Sequence, residues 1–450
     1  MNFTSITFLY FFLPAFFLIY AVTKPAYRAY IMLIGSCTVI CWGSPYGLVP
    51  LAISVLISYL CSLCIDSLRD RKKLSVLLLI VSLLTNLAAV VLFCSLPTVR
   101  SRLFTAIGAG IYALHSAAYT FDVYRNECEA VRSPLRLAAY ISFLPSLCGI
   151  PLVKPKETIG QMKETSVRSD MLTDGILLLL FGIAAKVIVG DRLYTLFQEL
   201  EASAKGDLSM LMSWLGAFIF GFSVFARLKG YACIAQGFGM MLGFRIGPSF
   251  DYPYSKTTLR EYLASYNISA YSFVQRYVFR PIAGSETNQA RTLTASAVSL
   301  VVICASYRPS ASFLIWGAGA ALFISLEIIL DSRLSHVPRP VRFIMTHMLT
   351  VIGWAVISQK TAVSSLEYVA HMLTGALTLD TTPLLYYFRS AAPLFVLILL
   401  FESKSLRNAV AKLEERSVSP ITVIKPVLIL TLLVMVTVFL MSGSVQSGIL

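Results

Sequence analysis

Apolar runs of about 20 residues follow one another along this 450-residue chain, each long enough to cross the hydrocarbon of a bilayer as a helix. Candidate spans lie between 3–22 and 420–441, and they predict about eleven to thirteen crossings. In lipid every backbone N–H and C=O must be paired within the protein, so helices are the element that such runs dictate. The first, FLYFFLPAFFLIYAV, is expected to stay as a span, because no basic stretch precedes it and no small-residue cleavage motif follows. The fold class is therefore an all-α polytopic integral membrane protein. It is expected as one membrane domain over 1–450, with N-terminal spans in 1–120, a central core in 121–360 and C-terminal spans in 361–450.

Composition excludes the soluble alternative. Hydrophobic residues make up 57% of the chain and charged residues only 13%, where ordinary globular chains carry about 25% charged. The net charge of +14 needs no nucleic-acid partner. Lys and Arg gathered in cytoplasmic loops give the same excess beside anionic lipid, and no basic stripe interleaved with aromatics is present. Lys24 and Arg28 follow the first run and Arg69, Arg71, Lys72 and Lys73 the third, which places the N-terminus outside. Nine cysteines sit mostly in apolar runs. Cys61 and Cys64 form a CxxC without a second pair, so no metal site and no disulfide framework is expected.

One stretch breaks the apolar pattern. Between Phe225 and Trp316 the chain reads FARLKGYACIAQGFGMMLGFRIGPSFDYPYSKTTLREYLASYNISAYSFVQRYVFRPIAG, then a short apolar run, then CASYRPSASFLIWG. Arg227, Lys229, Arg245, Asp251, Lys256, Arg260, Glu261, Arg276 and Arg280 lie in or beside greasy segments. Charges at that depth are costly and mark a substrate-lined or wet cavity. The runs 230–247 and 265–284 are too interrupted for simple spans and are expected as re-entrant or interfacial helices. Glu402–Arg416 has Glu and Lys at helical spacing and is expected as a solvated helix.

Several blocks, in order, resemble the membrane-bound O-acyltransferase superfamily, in its alginate O-acetylase and D-alanyl-transfer branch. They are YALHSAAYTFDVYRNE (112–127), YISFLPSLCGIPLVKPKE (140–157), FGIAAKVIVGDRL (181–193), GYACIAQGFGMMLGFRIGPSFDYPY (230–254), YNISAYSFVQRYVFRPIAG (266–284), IWGAGAALFISLE (315–327) and TVIGWAVIS (350–358). The resemblance implies a ring of helices around a central funnel, with re-entrant helices thinning the middle. It also implies a thioester donor, acyl-CoA or an acyl carrier, as substrate rather than a bound cofactor. The acceptor would be a glycan hydroxyl, a periplasmic acetyl-transfer protein would assist, and the site would lie in a bacterial inner membrane.

The chain departs from that family pattern at its polar positions. The family His ahead of the WGA block falls on Tyr307, and the second His falls on Ala320. The His of the re-entrant block falls on Asn267. Arg227 and Lys229 replace an acid and a serine, Cys233 an acid, and Ala264 and Ser265 a pair of arginines. A phenol with a pKa near 10 is a poor base, and competence would need a depression of about three units. Tyr307 could instead donate a hydrogen bond to a developing oxyanion. The candidate catalytic residues are thus Tyr307, Asn267 and His115, the last also readable as a hydrogen-bonded structural histidine. Arg227, Lys229, Arg308, Asp122 and Arg125 are candidates for a substrate or acyl-donor pocket. Arg227 and Lys229 would suit a phosphate or carboxylate, or would snorkel at the end of a span. Asp122 with Arg125, and Lys186 with Asp191, are expected to do structural work.

Three readings of function follow. The first is an acyltransferase, acetyl by the resemblance, acting toward an extracytoplasmic polysaccharide or envelope hydroxyl. The second is a catalytically degenerate partner, conduit or binding protein on the same scaffold. The third is a secondary transporter, since interrupted spans around a polar midplane are also a transporter trait.

Overall fold

The computed structural model describes residues 3–95, 103–148, 150–204, 209–284, 288–307, 310–334, 336–376, 381–403, 408 and 420–442. All described elements are helical. Among the described residues, eight helices are long and apolar enough to cross a membrane, and Thr7–Val22, Gln289–Cys304 and Lys425–Met441 are shorter apolar helices. The chain divides into two compact units whose segments alternate along the sequence. Unit 1 is Met1–Ile183 with Gly230–Gly247 and Ile429–Gly448, and unit 2 is Ala184–Lys229 with Pro248–Leu428 and Ile449–Leu450.

Unit 1 is built from α1 (Leu13–Val22), α2 (Arg28–Gly43), α3 (Leu48–Ser67), α4 (Lys72–Ser95), α5 (Leu103–Tyr124), α6 (Pro134–Ile141), α7 (Pro155–Gln161) and α8 (Ser169–Ala184). Lipid gives no hydrophobic drive for helix pairing, so small and polar side chains must hold helices together. Helices α3, α4 and α5 meet along such a seam. Asn86 donates to Ser58 Oγ at 3.4 Å and to the Ser82 carbonyl at 2.8 Å, while Ser82 and Thr120 hydroxyls lie 3.1 Å apart. Glycines do the same for α8. A Cβ on Gly175 would stand 2.7 Å from the Gly237 carbonyl oxygen and one on Gly182 2.6 Å from that of Gly230, so only bare backbone permits the crossing. Cys37, Cys41, Cys61, Cys64, Cys128 and Cys304 form no disulfide.

Unit 2 begins in the π-helical turn Ala185–Gly190 and α9 (Asp191–Ala204). Its remaining elements are the first part of α10 (Met210–Met241), then α11 (Leu259–Tyr266), α12 (Ile268–Val274), α13 (Arg280–Ala283), α14 (Gln289–Tyr307), α15 (Ala311–Ile329), α16 (Asp331–Leu334), α17 (Arg339–Ser358), α18 (Ala362–Thr374) and α19 (Thr381–Phe401), with α20 (Pro420–Met441) shared with unit 1.

One expectation changes. The segment 230–247 is not a separate re-entrant helix: α10 runs unbroken through 32 residues to Met241. Glycines at 230, 237 and 239 interrupt the apolar pattern without breaking the helix, and a Cβ on Gly237 would stand 2.5 Å from the Gly175 carbonyl oxygen of α8. The segment 265–284 is broken, as its pattern predicts: α11 and α12 meet at Asn267, and a π-helical turn Gln275–Phe279 precedes α13. Most of the expected charged helix Glu402–Arg416 lies outside the described residues.

Candidate functional site

The short helices form because each has its own cap. Thr258 Oγ1 accepts from Glu261 N at 3.2 Å to start α11, and Asn267 Oδ1 accepts from Ala270 N at 3.2 Å to start α12. Two backbone bonds, Asp251 N to the Ser265 carbonyl at 3.0 Å and Ile268 N to the Ser249 carbonyl at 2.8 Å, tie this hairpin to the loop before it. Glu327 of α15 accepts from the first N–H groups of α11, Leu259 at 2.7 Å and Arg260 at 3.1 Å. An anion at a helix N-terminus satisfies donors that have no partner inside the helix.

The two faces of this hairpin look into different spaces. Tyr262, Tyr266, Asn267 and Tyr271 line a mostly apolar cavity of about 80 Å³. Glu261, Ala264, Ser265 and Ile268 face an open polar basin with Asp251, Lys256 and Arg339. Lys256 and Asp251 pair there at 2.9 Å.

The other walls of the apolar cavity come from helical stripes. Leu300, Ile303 and Cys304 stand on α14, Trp316 and Ala320 on α15, and Thr350, Gly353, Trp354 and Ile357 on α17. Each set follows the three- and four-residue spacing that puts side chains on one helix face. Glycines let the tryptophans fit. A Cβ at Gly353 would meet the Trp316 ring at 2.5 Å, and one at Gly221 would meet the Trp354 indole at 2.6 Å. Around the cavity, Tyr266 packs on Trp354 with ring centroids 5.4 Å apart and on Phe225 at 5.7 Å, while Tyr254 and Tyr262 lie 5.9 Å apart. Burial pushes the phenols of Tyr254 and Tyr262 upward, so they stay protonated and can donate hydrogen bonds but not accept a proton as bases. Among the described lining residues there is no His, Lys, Arg, Asp or Glu.

The sequence candidates fall in several places. Asn267 lines the cavity, with its side-chain oxygen engaged as the α12 cap and by Ser269 Oγ at 3.0 Å. Tyr307 is the last residue of α14, one turn beyond Cys304 in the backbone; its side chain and all of Arg308 lie outside the described residues. Arg227 is 1% exposed and sits in a buried ion cluster. Its Nε lies 3.2 Å from Asp191 Oδ1, Lys186 Nζ lies 2.6 Å from Asp191 Oδ2, and the Arg227 guanidinium lies 4.7 Å from the Tyr194 ring centroid. Gly190 makes room for it, since a Cβ there would stand 2.5 Å from Arg227 Cγ. Lys229 pairs with Glu402.

His115, Asp122 and Arg125 are in unit 1. His115 is fully buried: Nδ1 is 3.1 Å from the Ile141 carbonyl and Nε2 accepts from Val153 N at 3.4 Å, so the ring ties α5 to two other segments. Asp122 is buried, and its carbonyl accepts from Glu127 N at 2.9 Å where α5 ends. Arg125 lies over the Phe121 ring at 4.7 Å and 3.9 Å from Glu127.

Reading the sequence alone missed Tyr262, Tyr266, Cys304, Thr350 and Trp354 as cavity residues. The available signal was their helical spacing: Tyr262 and Tyr266, like Thr350 and Trp354, are four apart within otherwise apolar or short helices.

The cavity therefore gathers residues from separate blocks: Asn267 from YNIS, Trp316 and Ala320 from the WGA block, and Gly353 and Trp354 from GWAV. Comparisons with known proteins point the same way. The chain is 24% identical over 377 residues to a probable alginate O-acetylase of Pseudomonas aeruginosa, covering 79% of this chain and 72% of that one. It is 24% identical over 376 residues to the Azotobacter vinelandii protein of the same description, covering 79% and 74%. A peptidoglycan O-acetyltransferase of Helicobacter pylori is 20% identical over 305 residues, covering 60% and 57%. No protein-family model matches the chain. The chain is an integral membrane protein similar to these O-acetyltransferases.

Proposed function

We propose that this protein is a membrane O-acyltransferase that moves an acyl group from a thioester donor to a hydroxyl of an extracytoplasmic polysaccharide. The observation that carries this reading is the convergence of Asn267, Trp316, Ala320 and Trp354 on one cavity, from three blocks far apart in the chain. Holding donor and acceptor side by side at such a site lowers a bimolecular barrier. Phenol, amide and indole groups on its wall are donors that suit a developing oxyanion. Tyr307, at the end of the α14 stripe, is the group we assign to that oxyanion in place of the histidine of the resembled pattern. The donor is an acyl-CoA or an acyl carrier, the membrane is a bacterial inner membrane, and a periplasmic acetyl-transfer protein works beside it.

The test is the ester-linked acyl content of envelope and secreted polysaccharide in a deletion strain. Complementation by wild type restores the esters under this reading, and Tyr307→Phe restores much less. If wild type itself leaves acylation unchanged, the transferase reading fails.

One observation favours a second reading. No general base lines the described cavity, which suits a non-catalytic binding protein on the same scaffold. That reading expects Tyr307→Phe and wild type to complement equally, through a partner enzyme.

A further inference from the structure

His347 extends the α17 stripe of the cavity wall by one turn. Positions 347, 350, 354 and 357 fall on one helix face, and Thr350, Trp354 and Ile357 line the cavity. The His347 ring meets two phenols from the segment packed against α17. Ring centroids of Tyr254 and Tyr262 lie 5.9 Å apart, and each lies about as far from His347, at 6.2 and 6.1 Å. Thr346 Oγ1 donates to the Thr257 carbonyl at 3.0 Å and holds α17 against that segment.

The histidine's tautomer follows from its own helix. Nδ1 lies 2.9 Å from the Phe343 carbonyl oxygen, which can only accept, so Nδ1 carries the proton. Nε2 is then the bare nitrogen. It is buried, as are the hydroxyl oxygens of Tyr254 and Tyr262, and none of the three closes a hydrogen bond of good geometry. Buried polar atoms are rarely left so, and three in one place call for an explanation. Packing alone does not supply it. Phe343 stacks on the ring at 4.1 Å, and a phenylalanine at 347 would stack as well without burying an orphaned nitrogen. Of the three residues, Tyr262 also lines the cavity, so it stands between that space and the histidine behind it.

We propose that His347 is a positioning residue for acyl transfer, drawing off the Tyr262 proton so that Tyr262 can take one from the acceptor hydroxyl. This rests on the acyl-transfer reading and supplies the proton acceptor that the cavity lining lacks. The acceptor oxygen bonds to the acyl carbon while its proton passes to the Tyr262 oxygen and the Tyr262 proton passes to Nε2. The carbon–sulfur bond then breaks. Nε2 returns a proton to Tyr262, and Tyr262 gives its own to the departing sulfur. Protons balance, and a buried phenolate never accumulates.

The test is the initial rate of ester formation on polysaccharide in a deletion strain carrying wild type, His347→Gln, His347→Ala, Tyr262→Phe, or His347→Gln with Tyr262→Phe. Unfolding temperatures in nanodiscs report folding separately. His347→Gln keeps bulk and a polar edge but cannot take a proton, so its rate should fall about a hundredfold or more while it stays folded. The double variant should be no slower than either single one, because the two groups act as a unit. Imidazole added to His347→Ala should restore ester formation, and pyrrole, of the same shape without a bare nitrogen, should not. A rate near wild type in His347→Gln overturns the proposal and leaves the transferase reading intact. So does an equal response of His347→Ala to imidazole and pyrrole, which marks the ring as filler. A double variant slower than both singles overturns the relay. Wild type that forms no ester overturns the transferase reading, and this role with it.

Discussion

Gly353 of α17 lies against the ring of Trp316 on α15, so close that any Cβ at position 353 would reach three ring carbons within 2.7 Å. A glycine and a tryptophan from two separate sequence blocks are therefore one packing unit in the cavity wall. Gly353→Ala must displace the indole, and overpacking of this kind costs roughly 1–3 kcal/mol. We expect a lower unfolding temperature and reduced acyl transfer. The double variant Gly353→Ala with Trp316→Phe should recover part of the stability, which thermal unfolding in nanodiscs would show.

Asp191 stands between two buried cations, Lys186 and Arg227. Replacing the carboxylate by an amide leaves both charges in a low-dielectric interior, and breaking buried pairs in this way costs about 3–5 kcal/mol. Asp191→Asn is expected to give little folded protein. Adding Arg227→Met removes one of the two buried cations and should raise the folded yield, measured as the monodisperse fraction after extraction.

Asn267 has two separable roles, a helix cap and an amide facing the cavity. Asn267→Ala loses both and should cost about 1 kcal/mol in stability through the cap alone. Asn267→Ser keeps a good cap, so it should melt near wild type while losing acyl transfer. If Asn267→Ser transfers as well as wild type, the amide has no part in the chemistry.

Cys128, in the turn after α5, is buried, and burial followed by the nearby Asp122 and Glu129 carboxylates pushes its thiol up to about 11. The thiolate is the reactive form, so alkylation should be slow at neutral pH. The rate should rise about tenfold per pH unit toward that value, as the thiolate fraction grows. Mass-spectrometric counting of iodoacetamide adducts at a series of pH values in folded protein would show a plateau near pH 8.5 if burial had no such effect.

Hydropathy alone determined that this chain is a set of membrane-length helices, because unpaired backbone in lipid leaves no other economical structure. Ordered blocks were enough to point to the acyltransferase scaffold, and the interrupted pattern at 265–284 correctly marked short broken helices. The sequence could not show whether 230–247 was a break, since glycines that end a helix and glycines that let two helices touch read alike. Tertiary structure decided that Gly237 and the backbone of Gly230 meet α8. It also decided the fate of Arg227, which hydropathy treats as a costly charge near a pocket: its partners Asp191 and Tyr194 lie more than 30 residues away in sequence. The cavity itself exists only where α10, α11, α12, α14, α15 and α17 converge. Its residues are individually ordinary, and their chemistry depends on which helix faces meet, a long-range relationship that local spacing does not encode.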